Sequence, residues 1–169
     1  MLSRLLDIGF RHVGSWNLVE FKLGFTLHST SSTRNALFAF VAGTEILYVT
    51  KTIHSFKRRL YDYRNANATQ YAKYVVNRLL SLHLLAGVAI EIYVLPDYGV
   101  LHLGSTEVNL ASVLEDSLIS ELKPTWNMCG LKGYSDIGHN LLGADFMDRS
   151  VQEHERTRIG TIRRGHKEP

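Results

Sequence analysis

The sequence predicts a small α+β protein, an antiparallel sheet of about three core strands with helices packed against it. Two strand-like runs, ALFAFV (36–41) and EILYVT (45–50), are joined by Ala42, Gly43 and Thr44, which reads as a tight hairpin. A third run, AIEIYVL (89–95), is strongly β in composition. Three further segments, 55–64, 71–86 and 109–122, carry apolar residues at helical spacing and supply the helices.

Taken in order, LLDIGFRHVGSWNL reads as a short helix or turn leading into a strand near Val19 to Leu27, where Phe21, Leu23 and Phe25 alternate with smaller or polar residues. HSTSSTRN (28–35) is a polar loop. After the hairpin, Ser55 is placed to cap a helix ending near Arg64, and RNANATQ (64–70) interrupts it. A second helix, Tyr71 to Ala86, sets Tyr74, Leu79, Leu82 and Leu85 along one stripe and stops at Gly87. PDYG (96–99) is a turn, and VLHL (100–103) a short returning strand. Asn109 opens a third helix that Pro124 closes after Leu122. Beyond Thr125 the chain is glycine-rich, and its tail is basic. The expected organisation is an N-terminal extension (1–35) packing on the core, a core (36–127) and an irregular C-terminal segment (128–169).

With 169 residues, 45% of them hydrophobic and only three prolines, the chain has the material for one ordinary core. No apolar stretch approaches the roughly 20 residues that span a bilayer. The N-terminus is too short and interrupted for a signal peptide. The single cysteine, Cys129, excludes an internal disulfide and points to a reducing cytoplasm. The eight histidines fall in no zinc-binding spacing. No Gly-x-Gly-x-x-Gly or nucleophile elbow is present, so nucleotide-cofactor and serine-hydrolase chemistry are not indicated. GLKGYSDIG (130–138) lacks the strand and helix that would make it a phosphate loop. A net charge of +3 leans weakly towards an anionic partner.

Two helices carry the candidate chemistry. In the first, Phe56, Leu60 and Tyr63 form an inward stripe, and Arg59 lies one turn before Tyr63 on the same side. Arg58 is turned about 100° away, towards water. A guanidinium beside a tyrosine at the margin of a core suits a phosphate oxygen, or else its stem simply covers apolar surface. In the third, Glu115 shares a face with Ala111, Leu118 and Leu122, with Ile119 beside them. A carboxylate there needs a compensating arginine, a proton or an oxygen-seeking divalent cation.

In this order the segments resemble the GIY-YIG nuclease family over residues 36 to 127. ALFAFV lies where the family's first motif strand falls and LYVTKT where its second does, with Phe38 and Tyr48 ten residues apart. SFKRRLYDY matches the helix with the family's arginine, followed four residues on by a tyrosine or histidine. LEDSLISELKPTWN matches the closing glutamate helix and asparagine, Glu115 and Asn127, twelve apart. GFRHVGSWNL and EIYVLPDYG further resemble a bacterial or phage subgroup that includes restriction-type enzymes.

The resemblance implies a DNA endonuclease that hydrolyses phosphodiester bonds with a single Mg²⁺ or Mn²⁺ held by Glu115. Arg59 would steady the negative charge, Tyr48 and Tyr63 would be the phenols near the attacking water, and Asn127 would organise the site. Two positions depart from the pattern: Phe38 stands where the first motif has tyrosine, and Thr50 where the second has glycine. A catalytically impaired relative that acts as a DNA-binding or protein-interaction module is therefore the alternative. Lys51, Lys57, Arg58 and Arg64 are expected on the rim of the cleft, gripping phosphates of double-stranded DNA. Cutting both strands would need two sites, hence a homodimer.

Overall fold

The structure, a computed structural model, describes residues 2–28, 34–67, 69–96, 102–103, 105–107 and 110–128. The expected turn at 96–99 beyond Pro96, Asn109 as helix opener, Cys129, the glycine-rich segment and the basic tail lie outside them.

One antiparallel sheet organises the molecule, in the order β2-β1-β5-β3-β4. The strands are β1 (Arg11–Val19), β2 (Lys22–Leu27), β3 (Ala36–Ala42), β4 (Glu45–Thr52) and β5 (Ile90–Pro96). Five strands, rather than about three, result because the N-terminal segment extends the sheet: β1 pairs along β5 and β2 pairs along β1. The segment expected to be one strand from Val19 to Leu27 is the second half of a hairpin. Its turn residues Glu20 and Phe21 both have positive φ, 50° and 60°. That geometry favours glycine or asparagine, and a Glu-Phe pair gives no sequence sign of it.

Helices cover both faces. On one lie α2 (Phe56–Arg64) and α3 (Tyr71–Leu85), packed on Phe38, Phe40, Ile92 and Val94. On the other lie α1 (Leu2–Ile8) and α4 (Leu110–Leu122), packed on Leu37, Ala39 and Val41. β3 is buried on both faces from Ala36 to Val41, which explains its unbroken apolar run. A short helix, α5 (Thr125–Met128), follows α4, and β6 (His102–Leu103) pairs with β7 (Thr106–Glu107) as a separate ribbon.

The helix boundaries follow local chemistry. Gly87, at φ +78°, ends α3 in a Schellman arrangement, with Val88 N–H donating to His83 O at 2.9 Å and Gly87 N–H to Leu84 O at 3.1 Å. Ser55 precedes α2 as expected, yet its side chain makes no capping hydrogen bond. The α3 stripe is rotated from expectation: Val76, Leu79, Leu80, Leu82 and His83 are buried, whereas Leu85 is exposed. The fifteen-residue helix packs on β1, β2 and β5 and against α2, so its buried side is set by those neighbours rather than by its most apolar line.

One irregularity matters for the site. Pairing runs Phe40↔Tyr48 and then Val41↔Ile46, so Leu47 is an extra residue in β4. This bulge re-aims the chain, and Leu47 and Tyr48 both join the cluster on the α2 face.

Candidate active site

The site is built along the outer edge of β4. An edge strand leaves alternate N–H and C=O groups unpaired, and these need partners. Asn127, on α5, takes both groups of Val49: its Oδ1 accepts the N–H at 2.8 Å and its Nδ2 donates to the C=O at 2.8 Å. Two residues on, the Lys51 N–H donates to Glu115 Oε1 at 3.0 Å. α4 and α5 thus continue the sheet with side chains.

Glu115 is the most heavily engaged group there. Its Oε1 also accepts the Thr50 hydroxyl at 3.0 Å, and its Oε2 faces the Lys51 ammonium at 3.1 Å. The carboxylate side chain is only 15% exposed. It sits on the apolar stripe between buried Ala111, Leu118 and Leu122, as its spacing predicts. The compensating cation is a lysine from β4, a partner not among those weighed from the spacing. Thr50 has the backbone of an ordinary strand residue opposite Phe38, so no left-handed conformation is demanded of it. Its hydroxyl supplies a bond to Glu115 that glycine could not.

Arg59 approaches from α2. Its guanidinium lies 5.3 Å from the Tyr63 ring centroid, and its Nε is buried without a hydrogen-bond partner. An unpaired buried N–H on a charged group costs about 1–3 kcal/mol, so it is a donor waiting for an acceptor. Arg59 and Glu115 line the same open cavity, of ≈ 340 Å³, together with the end of β4, Thr50 to Thr52, and the two residues that follow it, Ile53 and His54. No ion pair joins the two among the described residues. A carboxylate and a guanidinium thus face one space large enough for a phosphodiester.

The tyrosines form a second line behind Arg59. Tyr63 is 1% exposed, and its hydroxyl lies 3.3 Å from that of Tyr48. Burial above all, and then Tyr48, hold the Tyr63 phenol well above its ordinary pKa; the Arg59 charge pulls the other way without prevailing. Tyr63 is therefore a neutral hydroxyl across the working pH range. Tyr48 reaches it because the bulge at Leu47 turns it onto the α2 face.

The remaining expected residues disperse. Phe38 is fully buried and packs within 5.3 Å of Phe56 and 6.2 Å of Tyr63, centroid to centroid. It is core rather than cavity wall. Lys57 and Arg58 are exposed on the first turn of α2. Arg64 stands at the other end of that helix, with its guanidinium 5.8 Å from the Tyr61 ring. Lys51 is in the cavity itself, engaged with Glu115. Thr52, Ile53 and His54 also line the cavity, and nothing in their spacing marked them. Their turn is held by Thr52, whose hydroxyl accepts the His54 N–H and donates to its C=O, each at 3.2 Å.

The donor set fits one divalent cation with a largely water-and-phosphate shell. No cluster of three or more His, Cys, Asp or Glu exists among the described residues, so no all-protein cage is available. Magnesium commonly binds through one or two carboxylates plus phosphate oxygens, and Glu115 Oε2 is a carboxylate oxygen engaged only by the Lys51 ammonium.

No family model matches the sequence, and no curated protein matches it. Among solved structures the chain is similar to a glutamate-to-alanine mutant of bacteriophage T4 EndoII, with a TM-score of 0.60 and 17% identity, over 75% of this chain and 98% of that one. It is also similar, at a TM-score of 0.46 and 11% identity, to the restriction endonuclease HPY188I in complex with product DNA, over 75% of this chain and 80% of that one. The second likeness is too loose to argue from. The first establishes a shared fold, in agreement with the GIY-YIG resemblance of residues 36–127.

Proposed function

We propose that this chain is a divalent-metal-dependent endonuclease hydrolysing DNA phosphodiester bonds. The single observation that carries the reading is the pairing of Glu115 with an unpartnered Arg59 Nε across one open cavity. The fold shared with phage T4 EndoII supports it.

In this mechanism Glu115 would hold Mg²⁺ or Mn²⁺ through its carboxylate. The bound cation would stabilise charge on the phosphoryl oxygens and make an attacking water more acidic. Arg59 donates its free N–H groups to a non-bridging phosphate oxygen and stabilises the charge that builds there in the transition state. Tyr48 would exchange a proton with the water, and Tyr63, kept protonated by burial and 3.3 Å from the Tyr48 hydroxyl, would orient the Tyr48 oxygen. Asn127 fixes the strand that carries Tyr48, Thr50 and Lys51. Lys57 and Arg58 extend the positive surface for backbone phosphates of double-stranded DNA, and two copies of the chain would cut both strands. A restriction or defence role suits such an activity.

Plasmid nicking in Mg²⁺ or Mn²⁺ tests the assignment. Glu115→Gln and Arg59→Ala should each lower the rate by roughly 10²-fold or more, the scale for losing a charge stabiliser. Undiminished cutting by Glu115→Gln would overturn it.

A second reading, a catalytically impaired DNA-binding relative, is favoured by the Lys51 ammonium on Glu115 Oε2 and by the core position of Phe38. It predicts binding that weakens steeply with salt, without cutting in either metal.

A further inference from the structure

Lys51 stands where the proposed cation would act. Its ammonium is 3.1 Å from Glu115 Oε2, the carboxylate oxygen that β4 hydrogen bonds leave free, while Oε1 is held by Thr50 and by the Lys51 backbone. The lysine and the glutamate differ in exposure. The Lys51 side chain is 38% exposed, against 15% for Glu115, and only its ammonium engages the site. The carboxylate is anchored, whereas the lysine can leave on a flexible four-carbon stem. Its backbone cannot follow, because Lys51 N–H remains bonded to Oε1 and β4 is paired to β3 at Leu37.

We propose that Lys51 is an exchangeable counter-ion: it neutralises Glu115 in the metal-free protein, gives up Oε2 when a divalent cation arrives, and turns its ammonium onto a DNA phosphate in the same cavity. This rests on the metal-dependent reading above and assigns it a sequence of events. The exchange conserves charge balance at a carboxylate that is largely out of water, where an uncompensated charge is costly. It also couples the two ligands. The cation releases a phosphate-binding group, so each raises the affinity for the other, as linkage requires. A partly exposed ion pair is a weak competitor, which lets the exchange proceed at modest metal concentrations.

The test uses the full chain and needs no cleavage. Titration calorimetry with Mn²⁺ alone should show Lys51→Met binding roughly five-fold more tightly than wild type, the factor expected when a competitor of this strength is removed. Glu115→Gln should abolish the binding. If Lys51→Gln and Lys51→Met both bind Mn²⁺ as wild type does, the exchange is refuted while Glu115 remains a metal site. If neither wild type nor the Lys51 variants bind Mn²⁺, the exchange and the metal-dependent reading fall together. A second measurement reads the phosphate arm, duplex affinity against salt. Wild type and Lys51→Met should share one slope in EDTA and differ in Ca²⁺ by about 0.9, the equivalent of one phosphate contact. Equal slopes in both conditions would overturn the phosphate half of the proposal.

Discussion

At one edge of the sheet, β4 gives its outward N–H and C=O groups to side chains from α4 and α5. At the other, β2 is a six-residue strand carrying exposed Lys22 and Thr26, and its hairpin tip displays Phe21 at 89% exposure. The second edge is managed as many surface strands are, by shortness and a charged side chain. Of the two residues that close the β4 edge, the Asn127 side chain bonds only Val49, whereas Glu115 also faces the cavity, so its contribution to stability has to be separated from the catalytic role proposed for it.

The sharpest way to separate the two edges is Asn127→Ala. It removes two hydrogen bonds from Val49 and should lower stability by about 2 kcal/mol in urea unfolding, at the usual 0.5–1.5 kcal/mol per bond. A loss too small to measure would mean that water seals β4 as well as asparagine does. Thr26→Ala on the opposite edge, which loses only the 3.1 Å bond from Asn17, should cost roughly 0.5 kcal/mol.

Glu115 then divides structure from chemistry. Glu115→Gln can keep an amide oxygen on Thr50 and the Lys51 N–H and loses only the contact with the Lys51 ammonium. Its stability should fall by about 0.5 kcal/mol, in contrast to the large loss of nicking expected above. A stability loss matching that of Asn127→Ala would show the charge itself to be holding the edge.

Acid should find the α5 side of the molecule before the β2 edge. His83 is buried beside Trp126, 5.0 Å between ring centroids, and its Nδ1–H donates to Leu79 O at 2.9 Å. Burial lowers its pKa from the usual 6.5, so the unfolded chain binds the proton more readily than the folded one. Its stabilising contribution is present above about pH 6.5 and is lost as pH falls below that value. Melting temperatures of wild type and His83→Gln should converge between neutral pH and pH 5; parallel curves would contradict the assignment. The smallest effect is reserved for the hairpin tip. Phe21→Ser should change stability by less than about 0.5 kcal/mol, as surface substitutions do.

Much of this was readable along the chain. The 36–41 and 45–50 hairpin, the strand at 89–95 and the helices ending at Arg64, near Ala86 and at Leu122 each follow from a local pattern of apolar spacing and breakers. So does the placement of Arg59 beside Tyr63 and of Glu115 on an apolar stripe, because helical periodicity alone determines both. The β1–β2 hairpin was not readable, since Glu20 and Phe21 adopt positive φ without the residues that usually announce it. Nor was the α3 face, which depends on which strands and which helix it packs against.

What the sequence by itself determined, then, is which residues share a helix face and where each strand runs, because those are matters of a few neighbouring dihedrals. Only the tertiary structure decided that Leu47 is bulged, that Tyr48 consequently meets Tyr63, that Lys51 is the partner of Glu115, and that Arg59 keeps an N–H free across the cavity from it. Each of those facts joins residues from different elements. Their distances are set by strand register and by which edge is left open, quantities that no local stretch of chain encodes.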